Sequence, residues 1–171
     1  MSHEHVTPRA GESAPFHFDD RWIVDAGIDR VWAVLERVDE WPGWWSGLTA
    51  AERIETGPGG VDAEDLSVTT GSRARLLVRA PIGWSLRFSI EVDEVDAPHL
   101  IRFQSDGDLR GEGLWTLTAS EGVTAIDAMW CVATTRTIIR AMRPLSGLMH
   151  GAVMSAGERG LRRRLSGHNH H

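Results

Sequence analysis

Six short segments, near residues 51–56, 72–80, 84–95, 99–105, 110–119 and 122–134, read as strands divided by turn signals such as "GPGG", "APIG", "DAPH" and "SEG". No strand alternates with a long helix. The βαβ organisation is thereby excluded, because parallel pairing needs a crossover of roughly a dozen residues or more. The segments predict one antiparallel sheet. A sheet of that many strands has to curl, and its apolar concave face has to be covered by something else in the chain.

The cover comes from the C-terminal end. His150, Val153, Met154, Gly157, Leu161 and Leu165 recur every three or four residues and form one face of the only long amphipathic segment. At the front, "FHFDDRWIVD" (16–25) has a roughly alternating, aromatic-rich strand pattern. "GIDRVWAVLERVDEW" follows, with Ile28, Val31, Trp32 and Leu35 at helical spacing and Asp29 near the start as a cap. Trp41-Pro42 marks the break to a second short helix, since proline is tolerated in a first helical turn. The expected fold is α+β and of the helix-grip type: a curved antiparallel sheet of about seven strands wrapped on a long C-terminal helix, with two short helices after the first strand. A helix laid across a curved sheet rarely fills the space beneath it, so a cavity is expected there. Residues 1–14 read as a flexible arm, 15–166 as a single ligand-binding domain and 167–171 as a disordered tail.

Period-two alternation assigns the faces of the strands. Trp84, Leu86, Phe88, Ile90 and Val92 share the inward face of their strand, against Ser85, Arg87, Ser89, Glu91 and Asp93 outside. Ile101, Phe103, Trp115 and Leu117 point inward by the same rule, as do Ile126, Ala128, Trp130 and Val132, which leaves Asp127 and Cys131 outside. Large rings beside Gly111, Gly113 and Ala128 can interdigitate as a filled core or leave a shaped hollow. Apolar, aromatic walls are also what a small-molecule pocket of roughly 300–1,000 Å³ presents. The stretch "DEWPGWWSGL" (39–48) adds Trp44 and Trp45, about 100° apart if helical, so that one closes the pocket mouth while the other packs on the first helix.

Composition removes several functions. The 171 residues, 42% hydrophobic and 25% charged, suit one ordinary globular domain. Net charge is −6, every basic side chain is arginine, and only "RGLRRRL" (159–165) is locally basic, so no nucleic-acid partner is expected. The longest unbroken apolar run, "AMWCVA", is far short of a membrane span, and the N-terminus lacks the basic and apolar regions of a signal peptide. Cys131 has no partner for an internal disulfide. A cytoplasmic monomer or homodimer without integral membrane association is expected. No cysteine–histidine spacing of a zinc site occurs, and His3, His5, His168, His170 and His171 crowd the two ends, so no metal or cofactor is expected.

Four segments together resemble a known superfamily. "RWIVDAGIDRVWAVLERVDEWPGWWSGL" is similar to its opening strand and helix pair, and "APIGWSLRFSIEV" to its central strand. "GDLRGEGLWTLT" is similar to its glycine turn and following strand, and "RPLSGLMHGAVMSAGERGLRRRL" to the start of its closing helix. The superfamily is SRPBCC (START-like, Bet v 1-like), and within it the polyketide cyclase/dehydrase and lipid-transport group. The resemblance, from about Phe16 to Leu165, implies the same fold and a hydrophobic ligand: a lipid, polyketide or aromatic metabolite. The expected ligand-binding residues are Trp44, Trp45, Trp84, Leu86, Phe88, Phe103, Trp115, Ile126, Trp130, His150 and Met154. The alternative is a cyclase/dehydrase-type enzyme using the same pocket, in which positioning supplies most of the catalysis and His150 is the candidate acid–base group, working with a backbone or indole donor.

Other polar residues have plainer readings. Asp106 and Asp108 flank Gly107 in a turn, where aspartate bonds the local backbone. Arg110 and Glu112 face outward and could pair across their strand. Gly157 falls on the inward face of the closing helix, which predicts a close approach to the sheet at that end and a pocket mouth at the other, near His150 and the Trp44–Trp45 corner. Gly160 falls on another face, where alanine should be neutral or slightly stabilising.

Overall fold

The computed structural model describes residues 6–54, 67–80 and 83–167. Seven strands, β1 (Phe16–Val24), β2 (Leu48–Ile54), β3 (Arg73–Arg79), β4 (Ser85–Asp96), β5 (Leu100–Gly107), β6 (Arg110–Ser120) and β7 (Val123–Ala133), form one sheet. All pairings are antiparallel, in the order β1-β7-β6-β5-β4-β3-β2. Strands β2 to β7 follow one another as neighbours, while β1 joins the far edge beside β7. The element that separates β1 from β2 in sequence is helix α1 (Ile28–Leu35), and the chain ends in α2 (Thr137–Ala141) and the 21-residue α3 (Ser146–Ser166). This is the helix-grip fold, with the strand boundaries close to those the alternation predicts. The "GPGG" turn, Pro81, Ile82 and the terminal histidines named above lie outside the described residues.

The second short helix differs from the expectation. The break falls after Leu35, and Val38–Gly43 is a 3₁₀ turn that contains Pro42. Trp44 and Trp45 therefore follow the helix instead of lying in it, with both backbone N–H groups donating to the Trp41 carbonyl at 3.1 and 2.7 Å. A tight i→i+3 segment tolerates proline where an α-helix interior would lose a hydrogen bond. It also swings both indoles toward α3.

Helix α3 lies against this corner through its glycines. An ideal Cβ at Gly157 would meet the Trp45 and Trp22 rings, and one at Gly160 would meet the Trp44 carbonyl. The expected close approach at Gly157 is there, but the helix touches along a second line as well. Gly160 is itself buried, so its expected tolerance of alanine is corrected: the i+3 step carries it under the Trp44 turn. Trp22, Val24, Val31, Leu35, Ile126, Val132 and Leu161 make the best-buried part of the core.

The segment read as a loose arm is tied down from Thr7 onward. Arg110 donates through Nε and Nη2 to the two carboxylate oxygens of Glu12, both at 2.7 Å, rather than pairing with Glu112. Ser13 and Thr134 exchange two hydrogen bonds, Ser13 N–H to the Thr134 carbonyl at 2.8 Å and Thr134 N–H to Ser13 Oγ at 3.2 Å. The paired Arg110 holds the Glu12 carboxyl well below its ordinary value, at about 2, with the Arg9 backbone N–H adding to the effect. Cys131 does not face the cavity, as the alternation predicts, yet it is fully buried, and His17 of β1 stands directly across from it in register.

Candidate functional site

Between the concave sheet and α3 lies a cavity of about 660 Å³, within the size range of small-molecule pockets. Its walls follow from the pleat: alternate residues of β4 (Leu86, Phe88, Ile90, Val92), β5 (Ile101, Phe103), β6 (Trp115, Leu117) and β7 (Ala128, Trp130, Val132) all face it, and Trp84 stands at its edge. Helix α3 closes it with Met149, His150, Val153 and Met154. Of the eleven residues expected to bind ligand, nine line this one space.

Two do not. Ile126 is fully buried in the packed core, one step beyond Ala128 on the same face of β7. Its register partner Trp22 fills the end of the groove there, stacking edge-on against Trp115 with ring centroids 5.4 Å apart. Trp44 is buried under Gly160, away from the cavity, whereas Trp45 lines it. Trp45 is fixed by its indole N–H, which donates to the Val153 carbonyl at 2.8 Å, and by an edge-on contact with Trp22 at 5.2 Å. The Trp44–Trp45 corner is thus a clamp between the 3₁₀ turn and α3. Trp41, missed by sequence, also reaches the cavity and anchors itself through Nε1–H to the Leu35 carbonyl at 3.0 Å.

The apolar wall carries one close polar pair. His150 Nε2 and Asp20 Oδ2 are 2.6 Å apart, and both residues line the cavity. The imidazole stacks on Phe18 with centroids 3.9 Å apart and planes within 10°. With the carboxylate accepting from Nε2–H, the neutral ring carries its lone pair on Nδ1. Asp20 escaped the sequence reading, yet its signal was present. Phe16, Phe18, Asp20, Trp22 and Val24 form one face of β1, so a carboxylate in that row has to point inward. Elsewhere, Glu36, Arg53 and the 67–73 segment bring polar groups to the cavity; Arg53 Nη2 donates to the Glu36 carbonyl at 2.6 Å. The indole nitrogens of Trp84 and Trp130, both residues of the cavity lining, are fully buried without a partner among the described residues.

Asp106 bonds the local backbone as expected, accepting from Gly107 N–H at 2.9 Å, but Asp108 does not: it accepts from Arg87 N–H across on β4 at 2.8 Å. Asp108 also accepts from Arg136 at 3.0 Å, which ties the β5–β6 turn to the segment leading into α2.

No described helix is long and apolar enough to cross a membrane. No curated protein matches the sequence. Among solved structures, the fold is similar to the protein TTHA0849 from Thermus thermophilus, at 18% identity and a TM-score of 0.72, covering 90% of this chain and 99% of that one. It is also similar to the Zhui aromatase/cyclase from Streptomyces sp. R1128, at 14% identity and a TM-score of 0.70, covering 90% and 94%. A START superfamily protein from Mycobacterium smegmatis matches at 15% identity and a TM-score of 0.68, covering 88% and 97%. At such identities the likeness is one of fold. Residues 15–167 match the family model described as polyketide cyclase/dehydrase and lipid transport. The chain therefore belongs to the polyketide cyclase/dehydrase and lipid transport family.

Proposed function

We propose that this protein binds a largely apolar small molecule, a lipid, polyketide or aromatic metabolite, in the cavity between its sheet and α3. The observation that carries this reading is the cavity of about 660 Å³, walled by aromatic and aliphatic side chains from all seven strands and the closing helix. An apolar guest gains by leaving water, at roughly 25 cal/mol per Å² of surface removed. The walls come from elements fixed by sheet pairing and by the Gly157 and Gly160 contacts, so little ordering is required on binding. The Asp20–His150 pair gives the guest one polar point of attachment. Native mass spectrometry of freshly purified protein tests the reading: a co-purifying apolar molecule at unit stoichiometry supports it. Protein that arrives empty and takes up no fatty acid, flavonoid or polycyclic aromatic contradicts it.

A second reading rests on that same pair. An imidazole oriented by a carboxylate and open to an apolar cavity can remove a proton from a bound polyketide chain, as a cyclase or dehydrase requires. The Zhui neighbour is described as an aromatase/cyclase. The two readings separate on Asp20→Asn and His150→Gln: carriage predicts retained uptake and no reaction in any variant. Catalysis predicts turnover by the native protein that both substitutions abolish while uptake persists.

A further inference from the structure

The segment that joins β7 to α3 has two faces with different surroundings. Ile139, Met142, Ser146 and Met149 turn inward and line the cavity. Between them, Ile138, Leu145 and Leu148 stand in solvent, 41%, 47% and 76% exposed, and with Ile23 they are the exposed large hydrophobics of the described chain. Burial does not explain a leucine that is three-quarters exposed, and its neighbours make a patch of it.

Charge says what the patch suits. No Asp or Glu occurs between Asp127 and Glu158, although the chain as a whole carries −6, and the interval holds Arg136, Arg140 and Arg143. Arg136 is neutralised by Asp108 at 3.0 Å. Arg143 is not: its guanidinium donates to the Ala14 and Pro15 carbonyls and sits 3.8 Å over the Phe16 ring, so its charge meets no carboxylate there. Arg140 is exposed and forms no ion pair among the described residues. Two uncompensated cations thus flank three protruding aliphatic side chains. Apolar side chains that enter the headgroup region, beside arginines that meet anionic lipid, are the recognised recipe for shallow interfacial binding.

We propose that the α2–α3 segment is a docking surface for an anionic lipid bilayer, with Ile138, Leu145 and Leu148 inserted among the headgroups and Arg140 and Arg143 on the lipid phosphates. Its use follows from position, and rests on the cavity reading above: the docked segment is one wall of the cavity, so an apolar guest could pass between bilayer and protein without crossing water.

The test is co-sedimentation of the full chain with phosphatidylcholine vesicles and with vesicles of phosphatidylcholine mixed with phosphatidylglycerol. Binding to the mixed vesicles that weakens with added salt is expected, with little binding to phosphatidylcholine alone. Leu145→Ser/Leu148→Ser should weaken it by roughly tenfold or more per leucine, the scale of leucine transfer from water. Arg140→Gln should weaken it by roughly fivefold. These positions are exposed, so the variants should melt with the native protein. No binding to the mixed vesicles, or equal binding by the leucine variant, overturns the proposal. So does a dimer that the same leucine variant dissociates, which would make the patch a self-association surface. Uptake of a soluble apolar dye without vesicles is measured alongside: its loss with vesicle binding intact would defeat the cavity reading alone.

Discussion

Replacing Gly160 with alanine sets two well-measured effects against each other. Within an exposed helix, alanine is favoured over glycine by about 0.8–1.0 kcal/mol. At this position the added Cβ would stand 1.7 Å from the Trp44 carbonyl oxygen and 2.8 Å from its carbonyl carbon, where real Cβ contacts essentially never fall below 3.0 Å. The obstacle is backbone, fixed by the 3₁₀ turn beneath it, so α3 or the turn must retreat by more than 1 Å. Overpacking of this kind costs about 1–3 kcal/mol and occasionally more. With a rigid partner the upper part of that range applies, and the net loss should be about 2 kcal/mol after the propensity gain. For a chain of this length each kcal/mol moves the melting temperature by about 2–4 °C, so a drop of several degrees is expected. Urea denaturation of native protein and variant, with unchanged m-values, gives the difference directly. A variant as stable as the native protein, or about 1 kcal/mol more stable, would show that propensity wins. The close packing of α3 on the Trp44 turn would then be wrong.

Gly157→Ala should also destabilise, because its Cβ would meet the Trp45 and Trp22 rings; unlike Gly160→Ala it should alter guest affinity, since Trp45 lines the cavity, and dye titration of both variants checks this. Trp115→Ala should cost about 3–5 kcal/mol by denaturant titration, because that ring packs against Trp22, Trp41 and Trp45, whereas Trp130, half-buried like Trp115 but with Phe88 as its ring neighbour, should cost less and impair binding more. Glu12 has a folded pKa depressed to about 2, so its stabilisation is full above about 4.5 and is lost as pH falls toward 2; Glu12→Gln should flatten that part of the stability–pH curve, as thermal melts across the range would record. Trp45→Phe should lose the indole bond to the Val153 carbonyl and cost about 1 kcal/mol or more by denaturant titration.

The sheet was legible because its signal is local: alternation in "GWSLRFSIEV" assigns Trp84, Leu86 and Phe88 to one wall whatever the rest of the chain does. The closing helix was legible for the same reason. Ile126 was not, since it lies on the expected face and is removed from the cavity only by Trp22 packing on it; nor was the choice between Trp44 and Trp45, since the angle between them separates the two rings without saying which one meets Gly160. The tolerance of Gly160 was misread because a helical wheel locates a face but not a neighbour 116 positions earlier in the chain. Asp20 shows the reverse: its inward direction was readable from β1 alone, but its meaning depends on His150, 130 positions away. The tie between Glu12 and Arg110 is a tertiary pairing of the same sort, and nothing in the polar run from Thr7 to Ser13 announces it.

Whether the space under α3 takes up an apolar guest is the central question, and Leu86→Trp addresses that space directly. Leu86 projects from β4 into the cavity and is not part of the tightly buried core, so the larger ring should occupy volume at little cost in stability. Equilibrium titration with an apolar fluorophore should give saturable, one-to-one binding to the native protein. The Leu86→Trp protein, with an unchanged melting temperature, should bind at least roughly tenfold more weakly, the scale expected when about 1.4 kcal/mol of contact is lost. Equal affinity in the two proteins would place the guest elsewhere and contradict the account.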